Sequence, residues 1–340
     1  MKFGSVCSGI EAASAAWSSL GWQAAWFSEI EPFPCAVLAH HYPDVPNLGD
    51  MTTLPDLIRS GKVEAPDVFC GGTPCQAFSV AGSRKSLNDA RGNLSLTFCE
   101  IADAIDSVRY VHGHQPAIVF WENVPGVLST SDNAFGCFLA QLCGGDEPLV
   151  APDGWPNAGI VSGPSRTAAW RVLDAQYFGL AQRRKRVFVV ASARNDFDPA
   201  AVLFEFGGLR RDFAPSDKTR KVTPTLSASG IGVSRTGFNS EEEWFVETDL
   251  ANCLTASNGQ RFDVQTDTFL TNRNKKVRRL TPTECERLQG FPDGYTAIPW
   301  RNKSADECPD GPRYKALGNS WAVPVVNWIG KRINNFLRNE

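Results

Sequence analysis

Three side chains along this sequence could carry chemistry together. Cys75 follows the apolar run Asp67–Cys70 and the turn Gly71-Gly72-Thr73-Pro74, and it precedes the polar stretch Gln76 to Asn93. That places a thiol at a strand end, under a segment able to act as a lid. A free thiol has a pKa of about 8.5, so only a few per cent is thiolate at neutral pH. Arg184 and Arg186 could supply the cations that raise this fraction. Glu122 ends a second apolar run, Ala117–Trp121, and precedes Asn123-Val124-Pro125. Facing a nucleophilic thiol, a carboxyl group there can serve as general acid.

Glu29 is the third. It lies about 20 residues beyond the first glycine turn, a spacing that suits a carboxylate gripping the hydroxyls of a ribose. Yet Ser8-Gly9-Ile10-Glu11 holds one glycine and is no G-x-G-x-x-G. It allows close backbone approach to a cofactor without cradling a pyrophosphate. An adenosine lacking a phosphate chain fits better, and S-adenosylmethionine is such a cofactor.

These residues need a scaffold, and the first half supplies alternating elements. Strands are predicted at Phe3–Cys7, Gln23–Ser28, Asp44–Leu48, Asp67–Cys70, Ala117–Trp121 and Val187–Ala191. Helices are predicted at Glu11–Leu20, from Pro32 to His41, and at Leu94–Val108. Pro32 stands where a first helical turn accepts it. This alternation implies an α/β fold, a doubly wound and mostly parallel sheet with helices on both faces. Ligands in such sheets bind beyond the carboxyl ends of the strands. Ser8-Gly9, Glu29, Asp50, Thr73-Pro74-Cys75 and Glu122-Asn123 all fall at that edge. Residues 144–166 read as an irregular Gly/Pro-rich insert. From Gly207 to Asn274 the pattern breaks into Ser-, Thr-, Gly- and Asn-rich sequence, with two similar segments, Thr225–Ser229 and Cys253–Ser257. Order returns with a capped helix at Thr281-Pro282-Thr283-Glu284 and a last helix from Val323 to Leu337.

Composition bounds the alternatives. The 340 residues are 42% hydrophobic, 21% charged and 11% aromatic, which excludes disorder, collagen and coiled coil as descriptions of the whole chain. No apolar run approaches the roughly 18 residues of a membrane span. Met1–Trp17 lacks the apolar core of a secretory signal, so a cytoplasmic protein without membrane contact is expected. Net charge is −3, but residues 1–130 carry 7 Lys and Arg against 13 Asp and Glu, and residues 131–340 carry 27 against 24. Basic clusters at Arg183–Arg186, Arg210–Lys221 and Arg273–Arg279 lend weak support to a polyanionic partner. Ten cysteines include no C-x-x-C, and the four histidines stand as two close pairs, so no metal is expected and the thiols read as free.

In order and spacing, these blocks resemble the DNA (cytosine-5) methyltransferase family of bacterial or phage modification enzymes. The resemblance rests on Val6-Cys7-Ser8-Gly9-Ile10, Ser28-Glu29-Ile30-Glu31, Gly49-Asp50-Met51, Gly72-Thr73-Pro74-Cys75-Gln76-Ala77-Phe78-Ser79, Arg91-Gly92-Asn93-Leu94, Glu122-Asn123-Val124, Gln182-Arg183-Arg184-Lys185-Arg186, Arg279-Leu280-Thr281-Pro282-Thr283-Glu284 and Leu317-Gly318-Asn319-Ser320. It implies a catalytic and cofactor-binding domain of the S-adenosylmethionine-dependent methyltransferase type, residues 1–205 plus 276–340, and a smaller loop-rich target-recognition domain, residues 206–275.

The resemblance also assigns roles. Cys75 would attack carbon 6 of a flipped-out cytosine, Glu122 would protonate or hydrogen-bond ring nitrogen 3, Asn123 would hold the neighbouring loop and Arg184 would contact the base. S-adenosyl-L-methionine would donate the methyl group and leave as S-adenosyl-L-homocysteine. Glu29 would bind its ribose, Asp50 the adenine amino group, and Ile30 and Met51 the adenine faces. Gly9 would give the close backbone approach, Cys7, Ile10 and Pro74 would line the pocket, and Asn319 and Ser320 would complete it. Double-stranded DNA would meet Gln76, Arg84, Lys85, Arg91 and Arg186, with Arg235, Asn258, Gln260 and Arg261 as base readers. A monomer is the default expectation, with room for a companion restriction endonuclease. Two other readings keep the fold: a tRNA cytosine-5 methyltransferase, and a catalytically silent DNA-binding regulator. Two positions depart from the family pattern, which commonly has Phe at Cys7 and Gly at Glu11. A stacking ring is missing and a carboxylate is added.

Overall fold

The computed structural model describes residues 1–74, 94–205 and 280–338, together with the backbone of strand pieces at 225–226, 247–248, 269–271 and 277–279. The chain divides into two compact units: 1–173, 185–210 and 325–340, and 174–184 with 211–324.

The first unit is built on a seven-stranded sheet ordered β2-β1-β3-β4-β7-β6-β5. Its strands are β1 (Lys2–Val6), β2 (Gln23–Ser28), β3 (Val68–Gly71), β4 (Ile118–Asn123), β5 (Ala158–Ser162), β6 (Thr167–Asp174) and β7 (Lys185–Ser192). β2, β1, β3 and β4 run parallel, whereas β7 is antiparallel to β4, with Asn123 opposite Val187 and Glu122 opposite Phe188. β3 and β4 are buried along their whole length, as expected where both sheet faces are covered.

Successive residues of β4 show the two coverings. The Trp121 ring stacks on Phe138, with centroids 4.1 Å apart, from α5 (Ala134–Cys143). Phe69 stacks on Phe98 of α4 (Leu94–Val111) on the same face. Phe120 and Phe3 instead meet Trp17 edge-on, from α1 (Ala12–Trp17). Trp17 Nε1 donates to the carbonyl of Val326 in α9 (Val323–Arg338), so the last helix lies on the α1 face. α2 (Pro32–His41), α3 (Leu54–Arg59) and α6 (Pro199–Leu203) complete the unit, each with proline in its first turn.

The second unit contains α7 (Pro282–Gln289) and α8 (Asp310–Asn319), and a four-stranded antiparallel sheet ordered β11-β10-β8-β9. Those strands are β8 (Thr225–Leu226), β9 (Glu247–Thr248), β10 (Phe269–Thr271) and β11 (Val277–Arg279). The expected capping box is formed: Glu284 N donates to Thr281 Oγ1 and Thr281 N donates to Glu284 Oε2. Glu286 is fully buried and held by Arg313 Nη2 at 3.1 Å and by Thr296, which orders the chain after α7.

Two expectations are corrected. Asp44–Leu48 is not a strand. It makes an isolated bridge, Phe27 to Asn47, because Pro43 and Pro46 remove the donors a ladder needs. Within 144–166, residues 158–162 form β5, which pairs antiparallel with β6.

Gly71 closes β3 four residues before Cys75. A Cβ there would lie 2.5 Å from Val6 Cγ2 and 2.8 Å from the Val6 carbonyl oxygen. Gly71→Ala is therefore expected to destabilise the fold by about 2 kcal/mol. The check is a lower urea midpoint at unchanged denaturant slope. An unshifted midpoint would show that the strands can part at no cost.

Candidate active site

Parallel strands deliver their exits to one edge, and the candidate residues of the first unit gather there. After β1 the backbone turns sharply through left-handed conformations at Cys7 (φ 49°), Gly9 (φ 57°) and Glu11 (φ 63°). After β2, the Glu29 carboxylate fastens this turn. Its Oε2 accepts the Gly9 N–H at 2.7 Å, and its Oε1 accepts the N–H groups of Ile30 and Glu31, each at 2.8 Å. Asn47 fixes Glu29 from the other side, accepting its N–H and donating to its carbonyl. Ile30 is 71% exposed beside this carboxylate, whereas Met51 is buried and its sulfur lies 3.8 Å from Cys7 Sγ. Ile10 is fully buried. Asp50 is exposed, and its Oδ1 accepts the Thr52 N–H at 2.9 Å.

Glu11 is buried behind the turn. Its Oε2 accepts the Ser5 hydroxyl at 2.8 Å and its Oε1 accepts the Ser14 N–H at 3.1 Å. The hydroxyls of Ser5 and Ser8 are 2.7 Å apart, Ser8 Oγ accepts the Ser28 N–H, and Ser28 donates to the Gly49 carbonyl. A chain of short polar side chains thus ties the exits of β1 and β2 to the turn at 47–50. Burial pushes the Glu11 carboxyl up to about 7, and pushes the Cys7 thiol up to about 12 with Glu29 adding to the shift.

The exits of β3 and β4 form the second group. Asn123 donates to the Thr73 carbonyl at 3.0 Å and accepts the Val124 N–H at 2.8 Å. Trp121 Nε1 donates to Thr73 Oγ1 at 3.0 Å, and that hydroxyl shares a second hydrogen bond with the Ser95 hydroxyl, 2.8 Å away. The stretch leading through Pro74 to Cys75 is thereby fixed at Thr73. Glu122 forms an ion pair with Arg186, Oε1 to Nε 3.1 Å, with both side chains largely buried. The antiparallel direction of β7 explains this meeting, because β7 starts at the edge where β4 ends.

The two arginines of the Gln182–Arg186 block occupy different settings. Arg186, expected at the DNA, is the arginine beside Glu122. Arg184, expected at the base, belongs to the second unit, where Nη2 donates to the carbonyls of Gly318 (3.0 Å) and Ser320 (2.6 Å) around Asn319, at the end of α8. Gln182 is fully buried there and donates to the Leu288 carbonyl. Cys75, Gln76, Arg84, Lys85, Arg91, Arg235, Asn258, Gln260 and Arg261 lie outside the described residues. Sequence reasoning placed Thr73 at this edge and Ser28 beside Glu29 without giving either a role, and it missed Asn47 and Ser5. Their signal was weak, being short polar side chains clustered at strand exits, and the supposed strand at 44–48 hid Asn47. No helix among the described residues is long and apolar enough to cross a membrane.

Fold and edge together define an α/β protein of the methyltransferase class. The solved structure of Dnmt2 methyltransferase from S. pombe superimposes with a TM-score of 0.62, covering 100% of this chain and 99% of that one at 16% identity, a likeness of fold. The chain belongs to the C-5 cytosine-specific DNA methylase family, whose pattern matches residues 1–144 and 214–335. Among curated relatives, a protein of Escherichia phage P1 named DNA N-6-adenine-methyltransferase is 41% identical, over 97% of this chain. The chain spans 61% of that relative's length. The type II methyltransferase M.HpaII of Haemophilus parainfluenzae is 28% identical over 86% of this chain and 79% of its own.

Glu11 also leaves a thermodynamic mark. Its folded-state value, about 7, lies above the ordinary 4.5, so the folded chain keeps a proton that the unfolded chain releases in between. This contribution to stability is complete below 4.5 and is lost as pH rises through 7. Glu11→Gln should remove a loss on the order of 3 kcal/mol between about pH 5 and about pH 8. Urea midpoints of both proteins at the two pH values test this, and parallel pH slopes would contradict the assignment.

Proposed function

We propose that the chain methylates carbon 5 of cytosine in duplex DNA, using S-adenosylmethionine and a transient bond between Cys75 and carbon 6 of the base. The observation that carries this reading is the sheet edge itself. Glu29 grips the turn after β1, and two strands along the sheet, on β4, Glu122 pairs with Arg186 next to Asn123, which holds the segment that leads into Cys75. Membership of the C-5 cytosine-specific family supports it. The phage P1 relative's name points to adenine nitrogen 6. Part of that relative lies outside the match, and this chain has no Asp/Asn/Ser-Pro-Pro-aromatic block of the kind amino-group methylation typically uses.

The residues fit the cofactor. Glu29 accepts three N–H bonds of the roughly four that a carboxylate can take, which leaves capacity for a ribose hydroxyl. The exposed Ile30 offers an apolar face to an adenine. Asp50 Oδ2 has no partner among the described residues and suits an exocyclic amine. A Cβ at Gly9 would meet nothing nearer than the Cys7 carbonyl oxygen at 4.0 Å, so the space over that turn is open. When bound, the cofactor supplies a methyl group on a positively charged sulfur.

Carbon 5 of cytosine is a poor nucleophile, and the protein's task is to make it a better one. The Cys75 thiolate adds to carbon 6 while Glu122 gives a proton or hydrogen bond to nitrogen 3, and electron density moves to carbon 5. Once carbon 5 carries the methyl group, its proton passes to solvent water, the freed electron pair restores the ring double bond, and the carbon 6–sulfur bond breaks to release the Cys75 thiolate. Arg186 orients the Glu122 carboxyl, and Asn123 with Thr73 steadies the approach to Cys75. Carbon 6 is shielded in a stacked duplex, so the cytosine must be flipped out at a cost of a few kcal/mol. Gln76, Arg84, Lys85 and Arg91 are assigned to the DNA and the lid over the flipped base. Residues 206–275 are assigned to target reading, with Arg235, Asn258, Gln260 and Arg261 at base edges.

Cys75→Ser should abolish transfer of labelled methyl to duplex DNA. A cognate duplex bearing 5-fluorocytosine should trap the parent chain as an SDS-resistant adduct, because fluorine blocks the final proton loss. Methyl transfer retained by Cys75→Ser would refute the covalent route. Glu122→Gln should lower kcat by about 10²- to 10⁴-fold. A rate within a few-fold of the parent would remove Glu122 from the chemistry.

A further inference from the structure

Glu11 is a buried carboxylate that the chemistry above does not use. It is 1% exposed, and its partners are one hydroxyl and one backbone N–H. Glu29 stands across the Cys7–Glu11 turn, itself 9% exposed and bonded to backbone N–H groups. Among the described residues neither carboxylate has an ion-pair partner. This contrasts with the buried charges elsewhere in the molecule. Arg166 is matched by Asp103 and Asp106, and Glu286 by Arg313. Ionised carboxylates held away from water call for a cation, and a low dielectric strengthens their pull on any charge that arrives.

The two ligands expected over this turn differ in one respect that such a field can sense. The methyl donor carries a sulfonium charge, and the product left after transfer is a neutral thioether. Their adenosine and amino-acid portions are the same. We propose that Glu11 is a specificity-determining residue of the cofactor pocket, its buried and uncompensated carboxylate behind the Cys7–Glu11 turn favouring the cationic sulfonium donor over the neutral thioether product. The inference rests on the cofactor reading given above. Glu11 acts through the turn as a positioning and field residue, so its conversion to an amide changes discrimination between ligands rather than their contacts.

The groups around Glu11 allow the charge to be switched cleanly. β3 contributes the Cys70 thiol, which burial holds well above its usual range with Glu11 adding to the shift. The turn contributes the Cys7 thiol, and β2 leads to Glu29. α1 carries no charge, and Lys2, at the far end of β1, is paired with Glu64. Both thiols are neutral at physiological pH, so the carboxyl that burial pushes up to about 7 is the group that changes charge there.

Dissociation constants for S-adenosylmethionine, S-adenosylhomocysteine and sinefungin, an analogue with an ammonium in place of the sulfonium, test the proposal by calorimetry on the full chain. At about pH 8, Glu11→Gln should weaken both cationic ligands by about five- to tenfold and leave S-adenosylhomocysteine within about twofold. In the parent chain the preference for S-adenosylmethionine over S-adenosylhomocysteine should shrink by a similar factor between about pH 8 and about pH 6, and in Glu11→Gln it should not. The α-amino group common to both ligands cancels in that ratio. Equal weakening of all three ligands would reduce Glu11 to a packing role, and an unchanged ratio in both arms would overturn the proposal outright. If Glu11→Gln does not fold, the pH series on the parent chain decides alone. Failure of the parent chain to bind any of the three would instead sink the cofactor reading itself, with this inference on it.

Discussion

Strand direction is the constraint on which the rest of this structure depends. β1, β2, β3 and β4 run the same way, so their exits meet at one edge, and every turn there has to do something other than reverse the chain. β7 runs against them and begins where β4 ends. One reversed strand is thus enough to bring an arginine from residue 186 to a glutamate at residue 122. No local feature of either segment encodes that meeting. It follows from hydrogen-bond register alone.

The edge is also a place where local economy is broken. Left-handed backbone at Cys7 and Glu11 is uncommon for residues with a Cβ, and Glu11 adds a buried acid to the same turn. Such departures persist only where surrounding structure over-determines them. Here the surroundings are Ser5, Ser8, Ser28, Asn47 and Glu29, whose hydrogen bonds leave the turn few other conformations. The conformation of the turn is therefore set by these few side chains.

Much of this was legible in the sequence because strands buried on both faces are continuous apolar runs, and the residues that follow them are conspicuous. Phe3–Cys7, Gln23–Ser28, Asp67–Cys70 and Ala117–Trp121 could be read that way, each within two residues of the strand it marks, as could Glu29 and Glu122 just beyond the second and the last. What could not be read had physical reasons. Asp44–Leu48 places Val45 and Leu48 between two helical stretches where a further strand would fall, but Pro46 leaves it a single bridge. β5 carries alternating exposed and half-buried residues beside Gly/Pro-rich sequence, too faint a pattern to see. Arg184 and Arg186 are two residues apart, yet Arg184 precedes β7 and its guanidinium holds backbone carbonyls at the end of α8. Charge type identified both arginines, and only the three-dimensional pairing tells which one meets Glu122.

The last helix carries a consequence for how such a molecule comes into being. Trp17 reaches the carbonyl of Val326, 309 positions further along, and Arg332 donates to the carbonyls of Val202, Ala201 and Phe204. Residues 325–338 thus close a face that the first strands and helices open. During synthesis the early sheet must wait, with the Trp17 side still bare, until some three hundred further residues have left the ribosome.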